Sequence, residues 1–379
     1  MTLVQFPGRL AVLQRTLPRY RAPFFDLLAQ ACAEGLAVFA GQPRPVETIP
    51  VAAELEHGRL IPVHNRHFLS PSSAFYFCWQ ENLAAELEKW QPDILIVEAN
   101  PRYLSTPAAV RWMHRRGRVV LGWGLGAPQE AGGWRARSRL KFLQSLDGLI
   151  AYSREGAEQY RRMGVAPERV FVAPNAVAPK PRHPQPERAP HIETAVILFV
   201  GRLQRRKRLD LLLQACAELP QERQPQVWIV GEGPARVEFE KMAAQVYPPA
   251  QFFGAKYGAE LEALFAAADL FVLPGTGGLA VQQAMTYGLP VVVARGDGTQ
   301  SDLVRSPDEA GERANGWQVH PDSLVDLRET LAQALSEPGR LRQMGRESYR
   351  IVSEEINLEQ MVAGFIEALS VTVKRFPYV

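Results

Sequence analysis

Two cations and a glycine-rich bend are the residues of this sequence whose types and spacing suit phosphate binding. Arg202 and Lys207 follow an apolar run that ends in VG, and Gly275, Gly277 and Gly278 follow the apolar run LFVLP. Glycines let bare backbone approach a ligand. An arginine fork, a lysine point charge and the unpaired N–H groups at a helix start together suit a diphosphate.

The helix predicted after this bend would present the N–H groups of Gly278, Leu279 and Ala280 to the ligand. Both features also have simpler interpretations. The glycines could serve merely to make a tight turn, without binding a ligand. The arginines that surround Lys207 fit an exposed basic turn.

Strands alternate with helices through both halves of the chain, which predicts an α/β protein with two doubly wound, Rossmann-like parallel sheets. With 379 residues the chain is too long for one ordinary core. The proline-rich text after Val177 predicts an N-terminal domain 1–178, a linker 179–194, a second domain 195–356 and a helix 357–379 that crosses back to the first domain. Ligands of open parallel sheets bind at the carboxyl ends of strands, so we expect the two domains to face a shared cleft.

The order of short motifs in the second half resembles the nucleotide-sugar domain of the retaining GT-B glycosyltransferases of family 4 (glycosyl transferases group 1). The motifs are VGRL with a lysine five residues after the arginine, then IVGEGP, FFG, AAADLFVLPG, and a glycine loop followed by QAMTYGLPVVVA. Weaker support comes from IAYS and VAPN in the first half. Several motifs in the right order are more specific than any one glycine pattern.

The resemblance implies a retaining glycosyltransferase that moves a sugar from a nucleotide-sugar donor to a glycan or lipid-linked acceptor. A UDP-sugar is the first expectation for the donor, and no further cofactor is implied. Arg202 and Lys207 would hold the diphosphate and stabilise charge on the leaving group. Because the sequence has no D-x-D motif, a metal-bridged diphosphate is unsupported.

The same resemblance assigns the remaining donor contacts. The base would rest near Ala255 and Lys256, in the loop after FFG. The strand-end glycines Gly201 and Gly231 belong to the same predicted site.

One departure from the family concerns two glutamates separated by seven residues, the first near the donor sugar and the second on the ribose hydroxyls. In this chain Gly275 stands at the first position and Gln283 at the second. Gln283 can still donate to and accept from a ribose diol, whereas Gly275 offers only backbone. These changes leave open a second interpretation, a nucleotide-sugar-binding pseudoenzyme with a regulatory or scaffold role.

The first half offers candidates to meet the acceptor. Glu98 ends a predicted strand, and His64 and His67 lie in HNRH, where an ordinary surface loop is the simpler interpretation. Relatives often carry a histidine in the loop occupied here by GWGLG, which has none. By topology, the first loop would also face the ligand with Arg15, Arg19, Tyr20 and Arg21.

The region 111–141 is strongly basic and contains interleaved aromatic residues. This composition suits peripheral contact with an anionic membrane, and equally an exposed helix face whose aromatic side chains are in the core. A net charge of only +3 and the lack of a nucleic-acid motif argue against nucleic acid as a partner. Without a signal peptide or a long apolar run, we expect a cytoplasmic protein, with attachment at the inner face of the membrane as the alternative.

Overall fold

The computed structural model describes residues 5–47, 49–69, 76–127, 133–189, 193–277, 279–296 and 302–375. The chain divides into two compact units. The first contains Met1–Val177 and Leu358–Val379, and the second contains Ala178–Asn357.

The first unit is built on a parallel sheet of seven strands in the order β3-β2-β1-β6-β7-β8-β9, and β4 and β5 form an antiparallel pair beside it. Its elements are β1 (Leu10–Thr16), α1 (Ala22–Gln30), β2 (Leu36–Gly41), β3 (Arg59–Pro62), β4 (His64–Phe68), β5 (Phe77–Glu81), α2 (Leu83–Trp90), β6 (Ile94–Glu98), α3 (Thr106–His114), β7 (Val119–Gly124), α4 (Trp134–Gln144), β8 (Gly148–Ala151), α5 (Arg154–Arg162) and β9 (Val170–Val172).

The second unit has a parallel sheet of six strands in the order β12-β11-β10-β13-β14-β15. Its elements are β10 (Val196–Val200), α6 (Leu209–Ala217), β11 (Gln226–Val230), α7 (Arg236–Val246), β12 (Ala250–Gly254), α8 (Gly258–Ala267), β13 (Leu270–Leu273), α9 (Leu279–Thr286), β14 (Val291–Ala294), α10 (Pro307–Ala310), β15 (Gly316–Val319), α11 (Leu324–Ser336) and α12 (Pro338–Glu354). The C-terminal helix, α13 (Leu358–Arg375), belongs to the first unit.

The two doubly wound parallel sheets predicted from the sequence are confirmed. Their central strands are short apolar runs buried along their whole length, as in β13 and β14, because helices cover both faces of each sheet. In each sheet the strand order reverses beside its first strand, between β1 and β6 and between β10 and β13. These reversals are the points where open α/β sheets bind ligands.

The stretch 43–73, whose sequence shows no regular pattern, contains β3 and β4. Of their side chains only Ile61 of β3 is buried, so neither strand has a clear apolar pattern. The end of the second unit and the helix predicted from residue 357 are two separate helices, α12 and α13. Asn357 ends the first of them, because its side-chain amide donates to the carbonyl oxygens of Val352 at 3.0 Å and Ser353 at 3.2 Å.

The C-terminal helix is an integral part of the first unit. The Phe365 ring lies 5.0 Å from the Phe24 ring and 5.1 Å from the Trp123 ring. Within the described ranges, no single helix has the length and apolar composition to cross a membrane, and only the last two helices, taken as a bent pair, satisfy both.

Candidate functional site

The predicted donor residues of the second unit follow the carboxyl ends of neighbouring strands. Gly201 and Arg202 follow β10, Gly231 follows β11, and Ala255 and Lys256 follow β12. Since β10 is the strand at which the order reverses, these residues lie at the point where such a sheet binds its ligand.

A pocket of about 560 Å³ opens at these strand ends, and we call it the strand-end pocket. Its lining includes the following residues predicted from the sequence: Gly201, Arg202, Gly231, Ala255, Lys256 and Gln283. Lys207, Gly275, Leu279 and Ala280 are outside that lining, and Gly278 lies outside the described residues. The structure thus brings the predicted base and ribose contacts together, and of the predicted diphosphate contacts that it describes only Arg202 lines the same pocket.

Close backbone contact explains the glycines of this pocket. Gly231 has a φ of +143°, and a Cβ atom placed on it would lie 1.9 Å from the carbonyl oxygen of Gly201. Backbone hydrogen bonds join Gly201 N–H to Val230 O at 3.0 Å and Gly231 N–H to Gly254 O at 2.8 Å. Adjacent strand-end turns therefore pack directly on one another, which leaves backbone as the floor of the pocket.

The residues after Pro274 form a second close contact, with the turn that carries Lys207. A Cβ atom on Gly275 would lie 2.3 Å from the carbonyl oxygen of Arg206. The N–H of Thr276 donates to that same oxygen at 3.1 Å. Glycine at position 275 is therefore required by packing, since any side chain would displace this loop from the turn.

Lys207 connects the glycine loop to the strand-end pocket. Its Nζ donates to the carbonyl oxygen of Thr276 at 2.5 Å, and its Cε lies 3.9 Å from the place a Cβ atom would take on Gly201. Burial, and next the nearby charge of Arg206, lower the pKa of Lys207 to about 8. The negative charge of a bound anion would offset both effects by stabilising the protonated lysine, so this lysine is suited to meet a phosphate.

Other side chains at the strand-end pocket were missed by sequence reasoning. Glu232 lines it and directly follows Gly231, so the strand-end rule could have found it. Tyr257 also lines it and is 78% exposed, which leaves its ring available for stacking. Lys256 Nζ donates to Glu260 Oε1 at 2.5 Å, one turn along α8.

The first unit gathers several of the predicted acceptor residues where β1 and β6 end. The N–H of Arg15 donates to Glu98 Oε1 at 2.6 Å, and Arg15 Nη1 donates to Glu47 Oε2 at 2.8 Å. Burial raises the pKa of Glu98, and hydrogen bonds from Arg15 and Tyr103 oppose that rise. Glu98 therefore ties the two central strands together at their carboxyl ends.

The other candidate residues of the first unit, His64, His67 and Arg21, differ in burial and in their partners. His67 Nδ1 lies 2.9 Å from the Tyr76 hydroxyl, and burial together with Arg44 and Arg15 lowers its pKa, while His64 is exposed. Arg21 does not face a ligand as its loop position suggested. It is 7% exposed and donates to the Ala176 carbonyl oxygen at 3.1 Å, so it is a structural tie within this unit.

Within the described ranges, no group of three or more His, Cys, Asp or Glu side chains is placed to hold a metal ion. Charge at the strand-end pocket comes instead from arginine and lysine side chains, with Glu232 as an acidic member of the lining.

Comparisons with known proteins agree with this architecture. Residues 184–351 match the family model "Glycosyl transferases group 1", and residues 30–180 match "Glycosyltransferase Family 4". The solved structure of HepE from Anabaena in complex with UDP and glucose superposes with a TM-score of 0.65 over 96% of this chain and 99% of that one, at 15% identity.

Two curated relatives are similar over part of the chain. The sulfoquinovosyl transferase SQD2 of Arabidopsis thaliana is 35% identical over 35% of this chain and 25% of its own length. A GDP-mannose-dependent alpha-mannosyltransferase of Corynebacterium glutamicum is 35% identical over 37% of this chain and 30% of its own length. This chain thus spans less than a third of the length of either relative. Both family models and the fold agree that the chain belongs to the GT-B glycosyltransferases, with a family 4 domain followed by a group 1 domain.

Proposed function

We propose that this protein is a retaining, metal-independent glycosyltransferase that moves a sugar from a nucleotide-sugar to a glycan or lipid-linked acceptor. The observation that carries the proposal is the position of Lys207, a lysine with a pKa of about 8 between Gly201 and the glycine loop. A UDP-sugar is the first candidate donor, supported by the fold neighbour solved with UDP. GDP-sugars are the second candidate donors, because one curated relative is named for GDP-mannose.

The nucleoside of the donor would occupy the strand-end pocket. Its base would lie against Ala255, Lys256 and the exposed Tyr257 ring, since aromatic faces stack on bases. Gln283 would meet the ribose, because its amide can donate to one hydroxyl and accept from the other.

The diphosphate would bind between Arg202, Lys207 and the first N–H groups of α9, at Leu279 and Ala280. These groups would stabilise the negative charge that grows on the leaving phosphate as its bond to the sugar breaks. A nucleoside diphosphate is a good leaving group and needs no acid from the protein. As its bond to the anomeric carbon breaks, the charge that grows on its terminal phosphate lets an oxygen of that phosphate accept the proton of the acceptor hydroxyl, which forms the new bond on the same face of the sugar. The anomeric configuration would then be retained.

Gly275 does not argue for a lost activity. The contact between position 275 and the Arg206 carbonyl oxygen gives glycine a packing role. We therefore favour the transferase over the pseudoenzyme.

A lipid-linked acceptor would suit the basic helix α4, whose Arg135, Arg137 and Lys141 are exposed. Trp112 and Phe142, in contrast, pack against the core of the first unit. Attachment to a membrane would therefore be mainly electrostatic and lost at high salt. Sedimentation with anionic and with zwitterionic vesicles tests this, and equal binding to both would contradict it.

The experiment that tests the transferase itself is donor hydrolysis in the absence of acceptor, followed by NMR of the released sugar. We expect slow release of the nucleoside diphosphate with the anomeric configuration initially retained. Arg202→Ala should abolish release, and Arg205→Ala should not, because Arg205 lies on the neighbouring turn and pairs with Glu238 at 3.0 Å. No release from any UDP-sugar or GDP-sugar, or equal release by Arg202→Ala, would reject the proposal.

A further inference from the structure

A second pocket, of about 290 Å³, adjoins the glycine loop at the carboxyl ends of β13 and β14, and we call it the side pocket. Its lining includes Arg206, Arg208, Gly275, Thr276, Arg295 and Asp322. It lies wholly in the second unit. The strand-end pocket and the side pocket thus share one sheet edge but have different linings.

Lys207 links these two pockets. Its Cε lies 3.9 Å from the Cβ position of Gly201, which lines the strand-end pocket, and its Nζ is bonded to the carbonyl oxygen of Thr276, which lines the side pocket. A diphosphate held by Lys207 would therefore have one pocket on each side. If the nucleoside occupies the larger pocket, the sugar at the other end of the diphosphate reaches the smaller one.

The charge of the side pocket is positive. Arg208 is paired with two carboxylates, those of Asp210 at 3.0 Å and of Asp322, so these three side chains carry one net negative charge, which Arg206 and Arg295 outweigh. Arg206 donates to two neutral oxygens, Thr276 Oγ1 and Gln204 Oε1, each at 2.9 Å. These neutral contacts leave the positive charge of Arg206 uncompensated.

Arg295 adds a second cation to this lining. It directly follows β14, is exposed, and is held in place by its backbone N–H, which donates to the Val319 carbonyl oxygen at 2.9 Å. Guanidinium groups bind carboxylate and other oxyanions through charge-assisted hydrogen bonds. Neutral sugar hydroxyls would not balance the positive charges of these guanidinium groups.

Packing keeps an acidic side chain away from the same place. Any residue larger than glycine at position 275 would collide with the Arg206 carbonyl oxygen, 2.3 Å from its Cβ. The loop therefore offers backbone to the ligand, and the nearby side chains of Arg206 and Arg295 offer positive charge.

We infer that the side pocket binds an anionic substituent of the donor sugar, which makes the donor a nucleotide-linked acidic sugar of the hexuronate class. This inference rests on the proposed function, and it adds the substrate class. The carboxylate would lie between Arg206 and Arg295, and the diphosphate would stay on Lys207.

Calorimetric titration with matched ligands tests this inference. UDP and GDP identify the nucleotide, and the donor pair then differs only in oxidation at C6, as in UDP-glucuronate and UDP-glucose. We expect the uronate to bind at least about tenfold more tightly, the size of one charge-assisted hydrogen bond. Arg295→Gln and Arg206→Gln should each reduce this ratio, and Arg295→Gln should leave the affinity for free nucleotide unchanged.

Arg205→Gln is the matched control, since Arg205 lies on the same turn as Arg206 but outside the lining of the side pocket. It should keep the preference for the uronate. Equal or weaker binding of the uronate, or a preference that survives in the Arg206→Gln and Arg295→Gln double variant, overturns this inference and leaves the donor site intact. Failure of UDP and GDP to bind overturns both. A loss of free-nucleotide affinity in Arg295→Gln would instead assign the side pocket to the diphosphate.

Discussion

Lys207 Nζ donates a hydrogen bond of 2.5 Å to the carbonyl oxygen of Thr276, and this bond holds the glycine loop against the turn that follows β10. It places a cation at the reversal point of the second sheet, where backbone from two strand-end loops meets. The loop cannot carry a side chain at position 275, and the lysine cannot be fully solvated. Both features follow from the same contact between loop and turn.

Replacement of Gly275 tests that contact. Gly275→Ala introduces a Cβ atom 2.3 Å from the Arg206 carbonyl oxygen, so the loop must shift away from Lys207. We expect a loss of stability of about 1–3 kcal/mol, as for other overpacked sites, and about tenfold weaker nucleotide binding. Calorimetric titration and thermal unfolding measure the two effects.

The control for this variant is Gly339→Ala, in the first turn of α12, where an added Cβ meets nothing within 4 Å. It should bind nucleotide normally and be as stable as the natural protein or slightly more so. If Gly275→Ala and Gly339→Ala have equal stability and equal nucleotide affinity, the close contact between the glycine loop and the Arg206 carbonyl oxygen matters for neither.

Nucleotide affinity should depend on pH through Lys207. In the free protein its pKa is about 8, so the lysine is charged below pH 8 and loses its proton above it. A bound diphosphate raises that pKa, so binding takes up a proton above pH 8 and affinity falls there by up to about tenfold per pH unit. Titrations from pH 7 to pH 9 measure this, since the nucleotide phosphates are already about nine-tenths ionised at pH 7 and the base keeps its proton over that range.

Lys207→Arg should bind nucleotide with little pH dependence over the same range, because arginine keeps its proton. An unchanged affinity between pH 7 and pH 9 in the natural protein would show that Lys207 does not meet the phosphate.

The role of Gln283 can be isolated with altered ligands. Gln283→Leu should weaken binding of UDP by about tenfold, because two ribose hydroxyls lose their partner. It should hardly change binding of 2′,3′-dideoxy-UDP, which has no diol to lose. Equal losses for both ligands would place Gln283 elsewhere than at the ribose.

Arg188 connects the C-terminal ends of α8 and α9, the two helices that follow the loops proposed to bind the donor. Its guanidinium donates to the carbonyl oxygens of Phe265 at 3.0 Å and Ala268 at 2.9 Å, at the end of α8, and to that of Tyr287 at 2.8 Å, just after α9. Arg188→Ala should destabilise the second unit by about 2–3 kcal/mol, since these carbonyls lose their partner and the helix dipoles lose a favourable charge. Differential scanning calorimetry should show a lower Tm by several degrees. The control is Arg182→Ala, which replaces an exposed arginine. An equal Tm for both variants would show that Arg188 does not stabilise the second unit.

The sequence was sufficient to predict features that depend on local pattern. The end of an apolar run predicts the strand-end position of Gly201 and Arg202, whereas the short FFG motif and the family resemblance predict Ala255 and Lys256 as donor contacts. The alternation of strands and helices specified two parallel sheets. Each of these signals is contained within a few neighbouring residues.

Features that depend on distant contacts were not predictable from the sequence. Gly275 meets Arg206 only because β13 lies beside β10, and no local pattern reveals that pairing. The loop position of Arg21 suggests a ligand contact, but its guanidinium is buried against residues far away in the sequence, among them Met361 of α13. The short strands β3 and β4 have no clear apolar pattern, because Ile61 is their only buried side chain.

The most direct test of the central claim, that Lys207 meets the donor diphosphate, is calorimetric titration of UDP and GDP into three proteins at pH 7. These are the natural protein, Lys207→Ala and Lys241→Ala, the last of which replaces an exposed lysine of α7. We expect one nucleotide to bind the natural protein and Lys241→Ala equally, and to bind Lys207→Ala about 10- to 100-fold more weakly, because a charged hydrogen bond is lost. Equal affinity for Lys207→Ala, or no binding of either nucleotide to the natural protein, would contradict it.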